Sequence, residues 1–232
     1  MSRAEDGHAW FEERTQRIWE KHLLPIKDSI SSYLEIGVAS GHSMRWVMEN
    51  LEPTVAVGVD PYKGDRMHPQ ARFDEYRENA KRNLLPYEDK IRLVYTESRS
   101  LLPDFFNAVY DPIDGYGDLV DAGSVPNSFD LVYVDGSHDG YDALLDMLLA
   151  YHMLSQPGIR DLDIGAVDKR KGMTPLLTSV GGVMVVDDTQ RTYGLKGKPS
   201  VKVAVQSFEP IMHGRVWREW EYGNQVGYVR LS

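Results

Sequence analysis

Ser32-Tyr33-Leu34-Glu35-Ile36 runs into Gly37-Val38-Ala39-Ser40-Gly41, and Val55-Ala56-Val57-Gly58-Val59-Asp60 follows soon after. The first stretch reads as a strand and the second as a glycine-bounded turn. Between the turn and the third stretch, Ser43 to Leu51 places Met44, Val47, Met48 and Leu51 on one helical face. The run ending at Asp60 is almost wholly apolar, as in a strand buried on both faces. Strand, turn, helix and strand in that order make a βαβ unit, and therefore a parallel pair.

The same rhythm continues outward. Residues 69–85 read as a charged helix and Lys90 to Tyr95 as a third strand. Phe129 to Asp135 is a fourth strand, and the apolar helix 141–154 after it offers Leu144, Leu145, Leu148, Leu149 and Leu154 to the core. Gly182 to Asp187 is a fifth strand and residues 201–209 are helical. Arg215 to Tyr222 and Gln225 to Leu231 form two further strands joined by Gly223-Asn224, a hairpin signal. Upstream, Trp10, Phe11, Ile18, Trp19, Leu23 and Leu24 mark an amphipathic helix over 8–30, broken near Pro25 and packing on the main domain or on a second subunit. The expected fold is α/β, a mostly parallel seven-stranded sheet with helices on both faces and a C-terminal antiparallel hairpin. We read residues 1–31 as a helical extension and 32–232 as one domain, interrupted by long loops at 103–128 and about 159–180.

The 232 residues include 26 Lys+Arg and 35 Asp+Glu, a formal charge of −9, and no cysteine. An acidic chain is a poor partner for nucleic acid. Without cysteine there are no disulfides, thiolate metal sites or thiol nucleophiles, so any metal falls to oxygen and imidazole ligands. No apolar run reaches membrane-spanning length, and the first residues lack a signal-peptide core, so a cytoplasmic protein is expected.

Open parallel sheets bind ligands beyond the carboxyl ends of their strands. Those ends carry Glu35 with Gly37 to Gly41, Asp60, Glu97 with Ser98, Asp135, and Asp187 with Asp188. Carboxylates are costly to bury and are not chosen for packing, so their repetition is informative. The glycine turn allows close backbone approach to a ligand, and Asp60 is placed to accept ribose hydroxyls. Taken singly, the glycines equally suit a tight turn and Asp60 a helix cap; together they favour a nucleoside-containing cofactor. Strands four and five should be neighbours, so Asp135, Asp187 and Asp188 converge and repel unless a cation joins them. The alternative is that the pair caps a loop and Asp135 starts a turn. His138, before the apolar helix, is a candidate base or a capping residue, while Asp139 reads as the helix cap. His42 either meets the cofactor carboxylate or caps its helix. Tyr62, Lys63, His68, Arg191 and Tyr193 lie in loops that either bind substrate or are solvated.

Glu35-Ile36-Gly37-Val38-Ala39-Ser40-Gly41 resembles motif I of class I S-adenosylmethionine-dependent methyltransferases, and Val59-Asp60 resembles the acidic end of their second strand. Val134-Asp135-Gly136-Ser137-His138 and Gly181-Gly182-Val183-Met184-Val185-Val186-Asp187-Asp188 resemble the magnesium-dependent O-methyltransferases acting on sugars of macrolide and aminocoumarin antibiotics. The resemblance implies a Rossmann-like fold. It implies S-adenosylmethionine held by Glu35, Gly37, Ser40, Gly41, His42, Ser43, Asp60, Ser98 and Asp135, and Mg2+ held by Asp135, Asp187 and Asp188. It makes His138 the base, since Ser137 replaces the acid that other members use. The stretch Ile159 to Val180 departs from the pattern as an insert before the fifth strand.

The expected activity is metal-dependent methylation of a hydroxyl on a small vicinal diol, a sugar or a catechol. A metal-independent methyltransferase is the first alternative. A nicotinamide-dependent reductase or nucleoside-binding module is disfavoured by Ala39, where the dinucleotide fingerprint needs glycine. The N-terminal helix and the insert are candidate interfaces of a homo-oligomer.

Overall fold

The seven apolar runs become β1 (Ser32–Ile36), β2 (Val55–Val59), β3 (Ile91–Val94), β4 (Leu131–Val134), β5 (Val183–Val186), β6 (Val216–Tyr222) and β7 (Gln225–Arg230). The helices are α1 (Glu13–His22), α2 (His42–Asn50), α3 (Gln70–Leu84), α4 (Gly140–Met153) and α5 (Val201–Ile211). The structure is a computed structural model that describes residues 11–63, 70–100, 129–156, 181–190 and 198–231. The 103–128 loop, the 159–180 insert, His68, Arg191 and Tyr193 lie outside the described residues.

All seven strands form one sheet in the order β3-β2-β1-β4-β5-β7-β6. The first five are mutually parallel, while β7 runs antiparallel to β5 and β6. The order reverses between β1 and β4, the switch point at which such sheets open a crevice. Alternation of side chains along each strand feeds two cores. Leu34, Ile36, Val57, Val132, Val134, Met184 and Val186 pack with Ala143, Met147 and Ala150 of α4 and Phe208 of α5. Tyr33, Ala56, Leu131, Tyr133 and Val185 pack on the other face with Trp19 of α1, Met44 and Val47 of α2 and Ala80 of α3.

One of two alternatives is taken up, and one expectation changes in part. The N-terminal helix packs on the main domain itself: Trp19 is fully buried, edge-on to Tyr133 at 4.9 Å and to Trp46 at 5.5 Å. Of the five leucines only Leu154, the C-cap of α4, is fully buried in the core, and within α4 they are not the buried stripe. Ala143, Asp146, Met147, Ala150 and Tyr151 face inward, while Leu145 is exposed and Leu144, Leu148 and Leu149 are partly covered. Small side chains bring the helix close to the sheet, and leucine count alone misleads about which face does so. No described helix is long and apolar enough to cross a membrane.

The hairpin is seated by Gly227. A Cβ there would lie 2.3–2.4 Å from three ring atoms of Trp220, whose other neighbour is the stacked ring of His22 at 4.7 Å. Gly227→Ala should therefore cost about 1–3 kcal/mol through overpacking. Thermal denaturation should show this as a melting temperature lower by roughly 2–12 °C; an unchanged melting temperature would refute the contact.

Candidate active site

The turn after β1 is shaped by backbone that ordinary residues avoid. Gly37 and Gly41 have φ of 91° and 75°. Gly37 also has no room for a side chain, because a Cβ would come 2.1 Å from the Asp135 carbonyl oxygen at the end of β4. Ala39, Tyr62 and Asp188 are left-handed without being glycine, with φ of 45°, 45° and 55°. They follow β1, β2 and β5, and strain of this kind concentrates at functional sites.

Asp60 holds this turn in place. The N–H groups of Val38 and Ala39 donate to its Oδ2 at 3.0 and 2.9 Å, and that of Tyr62 to its Oδ1 at 2.8 Å. The Tyr62 hydroxyl donates back to the Ala39 carbonyl at 3.0 Å. Burial raises the Asp60 pKa, and the three N–H groups oppose that rise. Glu35 works from beneath: it is fully buried and accepts from the Tyr33 hydroxyl at 2.8 Å and from the Ser43 hydroxyl. Burial pushes its pKa up to about 8, against those two bonds, so it is largely protonated at neutral pH. Glu35 and Ser43 thus support the turn, while Gly37, Ser40, Gly41 and His42 form the turn and the start of α2. Ser40 is buried, and its carbonyl accepts from the Asn83 amide at 2.8 Å.

Asp146 escaped the sequence reading. The Ser98 hydroxyl donates to its Oδ1 at 2.5 Å, and its Oδ2 would lie 3.3 Å from a Cβ on Gly136. It therefore sits under the turn after β4, facing the segment after β3. Burial raises its pKa to about 7, with the Ser98 bond opposing. The signal was available: one acid among Ala143, Met147 and Ala150 on the inward face of an apolar helix.

The remaining acids gather where β4 and β5 end. The Tyr133 hydroxyl donates to Asp187 Oδ2 at 2.7 Å and lies 3.2 Å from Asp135 Oδ2. Burial and the charges of Asp187, Asp188 and Glu35 hold Asp135 well above the usual carboxylate range. Asp187 is raised by burial, opposed by its bonds from Tyr133, from the Asp188 N–H at 2.7 Å and from the Gln225 side chain. Asp188 meets His138, with Nε2 2.8 Å from Oδ2. Asp135, Gly136, Ser137, His138, Asp187 and Asp188 line a narrow cleft, together with Val134, Ala143, Val186 and Val201. Asp139 is the N-cap of α4, accepting from the Tyr141 N–H at 3.0 Å and pairing with Lys198. Among the described residues no three His, Asp or Glu side chains stand ready-made as a metal cage. Asp188 faces the imidazole, and Asp135 and Asp187 share Tyr133. Lys63 pairs with Glu97 at 3.6 Å.

A family model described as a methyltransferase domain matches residues 34–160, more than half of the chain. The chain belongs to this methyltransferase family. Its fold is shared with an O-methyltransferase from Bacillus cereus solved in complex with SAH (16% identity, 97% of this chain and 84% of that one, TM-score 0.60). It is shared also with the O-methyltransferase TomG from Streptomyces achromogenes in complex with SAM (16% identity, 96% and 82%, TM-score 0.56). A third is the SAH-bound methyltransferase PaMTH1 from Podospora anserina (16% identity, 95% and 80%, TM-score 0.53). No curated protein sequence matches the chain. In this methyltransferase the region matched by the family model runs from β1 through α4, so it includes the glycine turn, Asp60, Ser98, Asp135 and His138.

Glu35 yields a pH test. Its folded pKa of about 8 lies above the ordinary 4.5, so the folded state binds the extra proton between those values. Its contribution to stability is complete below about pH 4.5 and is lost as pH rises to about 8. Glu35→Gln should gain melting temperature relative to the parent as pH rises through this window. Parallel curves from pH 5 to 9 would place the Glu35 proton elsewhere.

Proposed function

We propose that the chain is a divalent-metal-dependent O-methyltransferase that uses S-adenosylmethionine to methylate a hydroxyl of a small vicinal diol, a sugar or a catechol. One observation carries the reading: a turn open to close backbone approach meets three carboxylates and an imidazole on one rim of the sheet. Membership of the methyltransferase family supports the transfer chemistry. The SAH and SAM bound by the B. cereus and S. achromogenes proteins support the donor.

In this reading Gly37, Ser40, Gly41 and His42 approach the cofactor, Ser98 and Asp135 flank it, and Asp60 and Glu35 with Ser43 keep the turn in shape. The oxygen donors Asp135 and Asp187 suit a magnesium ion, which takes one or two protein carboxylates and leaves other positions for water and substrate. When bound, such an ion lowers the pKa of the hydroxyl that it touches. The contact between His138 Nε2 and Asp188 Oδ2 supports taking Asp188 with the base rather than with the metal ligands: with Nε2 held by Asp188, His138 would take the hydroxyl proton at Nδ1. The carboxylate fixes the ring and stabilises the imidazolium that results. The cleft walls then need only position the hydroxyl in line with the methyl group.

A metal-independent methyltransferase is favoured by one observation, that the Tyr133 hydroxyl lies within hydrogen-bond reach of both Asp135 and Asp187. Transfer of labelled methyl to diol and catechol acceptors separates the two. We expect turnover with Mg2+, loss in excess chelator and recovery on adding Mg2+ back. Asp187→Asn should lower kcat/KM by about 100-fold or more, and His138→Gln by roughly 100- to 10,000-fold. Full turnover in chelator would leave the metal-independent reading standing.

A further inference from the structure

Tyr133 lies one turn of the strand pleat before Asp135, on the face of the sheet that α1 covers. Trp19, Tyr133 and Gln225 are all buried to within 1% exposure. The Trp19 indole N–H, which can only donate, reaches Gln225 Oε1 at 2.9 Å. That bond fixes the amide: Gln225 Nε2 is turned towards the Tyr133 hydroxyl at 3.4 Å and also donates to the Asp187 carboxylate. With a donor arriving at its oxygen, the phenol directs its own hydrogen away, towards Asp187 Oδ2 at 2.7 Å and Asp135 Oδ2 at 3.2 Å. The result is a chain of donors, each oriented by the one before it, running from the N-terminal helix through β7 and β4 to the two strand-end acids.

Packing does not require the hydroxyl. The ring meets Trp19 edge-on at 4.9 Å, a contact phenylalanine would make equally well. What the hydroxyl adds is a neutral hydrogen-bond donor between two carboxyl groups that repel when both are ionised, in a poorly solvated place. We propose that Tyr133 is a positioning residue that gathers the Asp135 and Asp187 carboxylates for a divalent cation, with its hydroxyl aimed by Gln225 and Trp19. The inference rests on the metal-dependent reading above and names residues outside its ligand set. Groups that orient metal-binding carboxylates from behind characteristically change affinity 10- to 100-fold when removed.

The test is titration of the full chain with Mn2+, followed by calorimetry or by the loss of free Mn2+ signal in electron paramagnetic resonance. Tyr133→Phe should bind Mn2+ about 10- to 100-fold more weakly, with unchanged affinity for S-adenosylhomocysteine. Trp19→Phe keeps an aromatic ring but frees the Gln225 amide to turn its oxygen towards Tyr133 and divert the phenol hydrogen. It should weaken Mn2+ binding in the same direction by a smaller factor, although it lies on the N-terminal helix. Parent-like Mn2+ affinity in Tyr133→Phe would overturn the positioning role and leave the metal reading intact. A parent chain that binds S-adenosylhomocysteine but no Mn2+ would overturn the metal reading and the inference with it. Should Tyr133→Phe fail to fold, Trp19→Phe decides: unchanged Mn2+ affinity there overturns the inference.

Discussion

Ile36, Val59, Val134 and Val186 stand level across four parallel strands, and Val94 pairs with Val59 beside them. Everything proposed for the site depends on this register. Because the last paired residues are level, the next residues leave the sheet at a common rim: Gly37, Asp60, Asp135 and Asp187. A slip by one residue in any strand would turn its buried set to the opposite face, so the two cores lock the register and with it the rim. Gly37 shows how tight the junction is, since its Cα closes on the carbonyl of Asp135 with no space for a methyl group.

A rim so rich in carboxylates would be unstable if every one had to be ionised and unpartnered. Each acid is accommodated differently. Asp60 receives three backbone N–H groups, Glu35 keeps its proton beneath two hydroxyls, and Asp146 holds Ser98. Asp135 and Asp187 share one phenol, and Asp188 pairs with an imidazole. These partners give the acids separate tasks. The first three shape the strand-end turns from behind, and the last three border the cleft. The separation follows from place: Glu35 and Asp146 lie within β1 and α4 and Asp60 is tied up by the backbone of the turn, whereas Asp135, Asp187 and Asp188 follow β4 and β5 and line the cleft.

Much of this was readable beforehand because strand ends are readable. Alternating apolar runs located all seven strands to within about two residues, and the first acid or glycine after each run marked the rim. Asp139 as the α4 cap followed from its place before an apolar helix. Other features depend on pairings that span the chain and leave no local pattern. Tyr133 looks like one more β-forming aromatic until Gln225, 92 positions away, is brought against it. Asp188 resembles the second half of an acidic pair until its left-handed backbone turns it towards His138. The face of α4 at closest approach was only partly read: Leu154 is core and Leu144, Leu148 and Leu149 flank it, but the sheet itself meets alanine, methionine and one aspartate.

The central claim is that the level rim brings a cofactor and a divalent cation together at the ends of β1, β4 and β5. Anomalous diffraction from crystals grown with Mn2+ and S-adenosylhomocysteine tests it most directly. The account predicts one strong Mn2+ peak between the Asp135 and Asp187 carboxylates, with the S-adenosylhomocysteine sulfur facing it across the cleft beside the Gly37–Gly41 turn. Bound S-adenosylhomocysteine with no Mn2+ peak at those carboxylates, or a peak at another place on the protein, would contradict it.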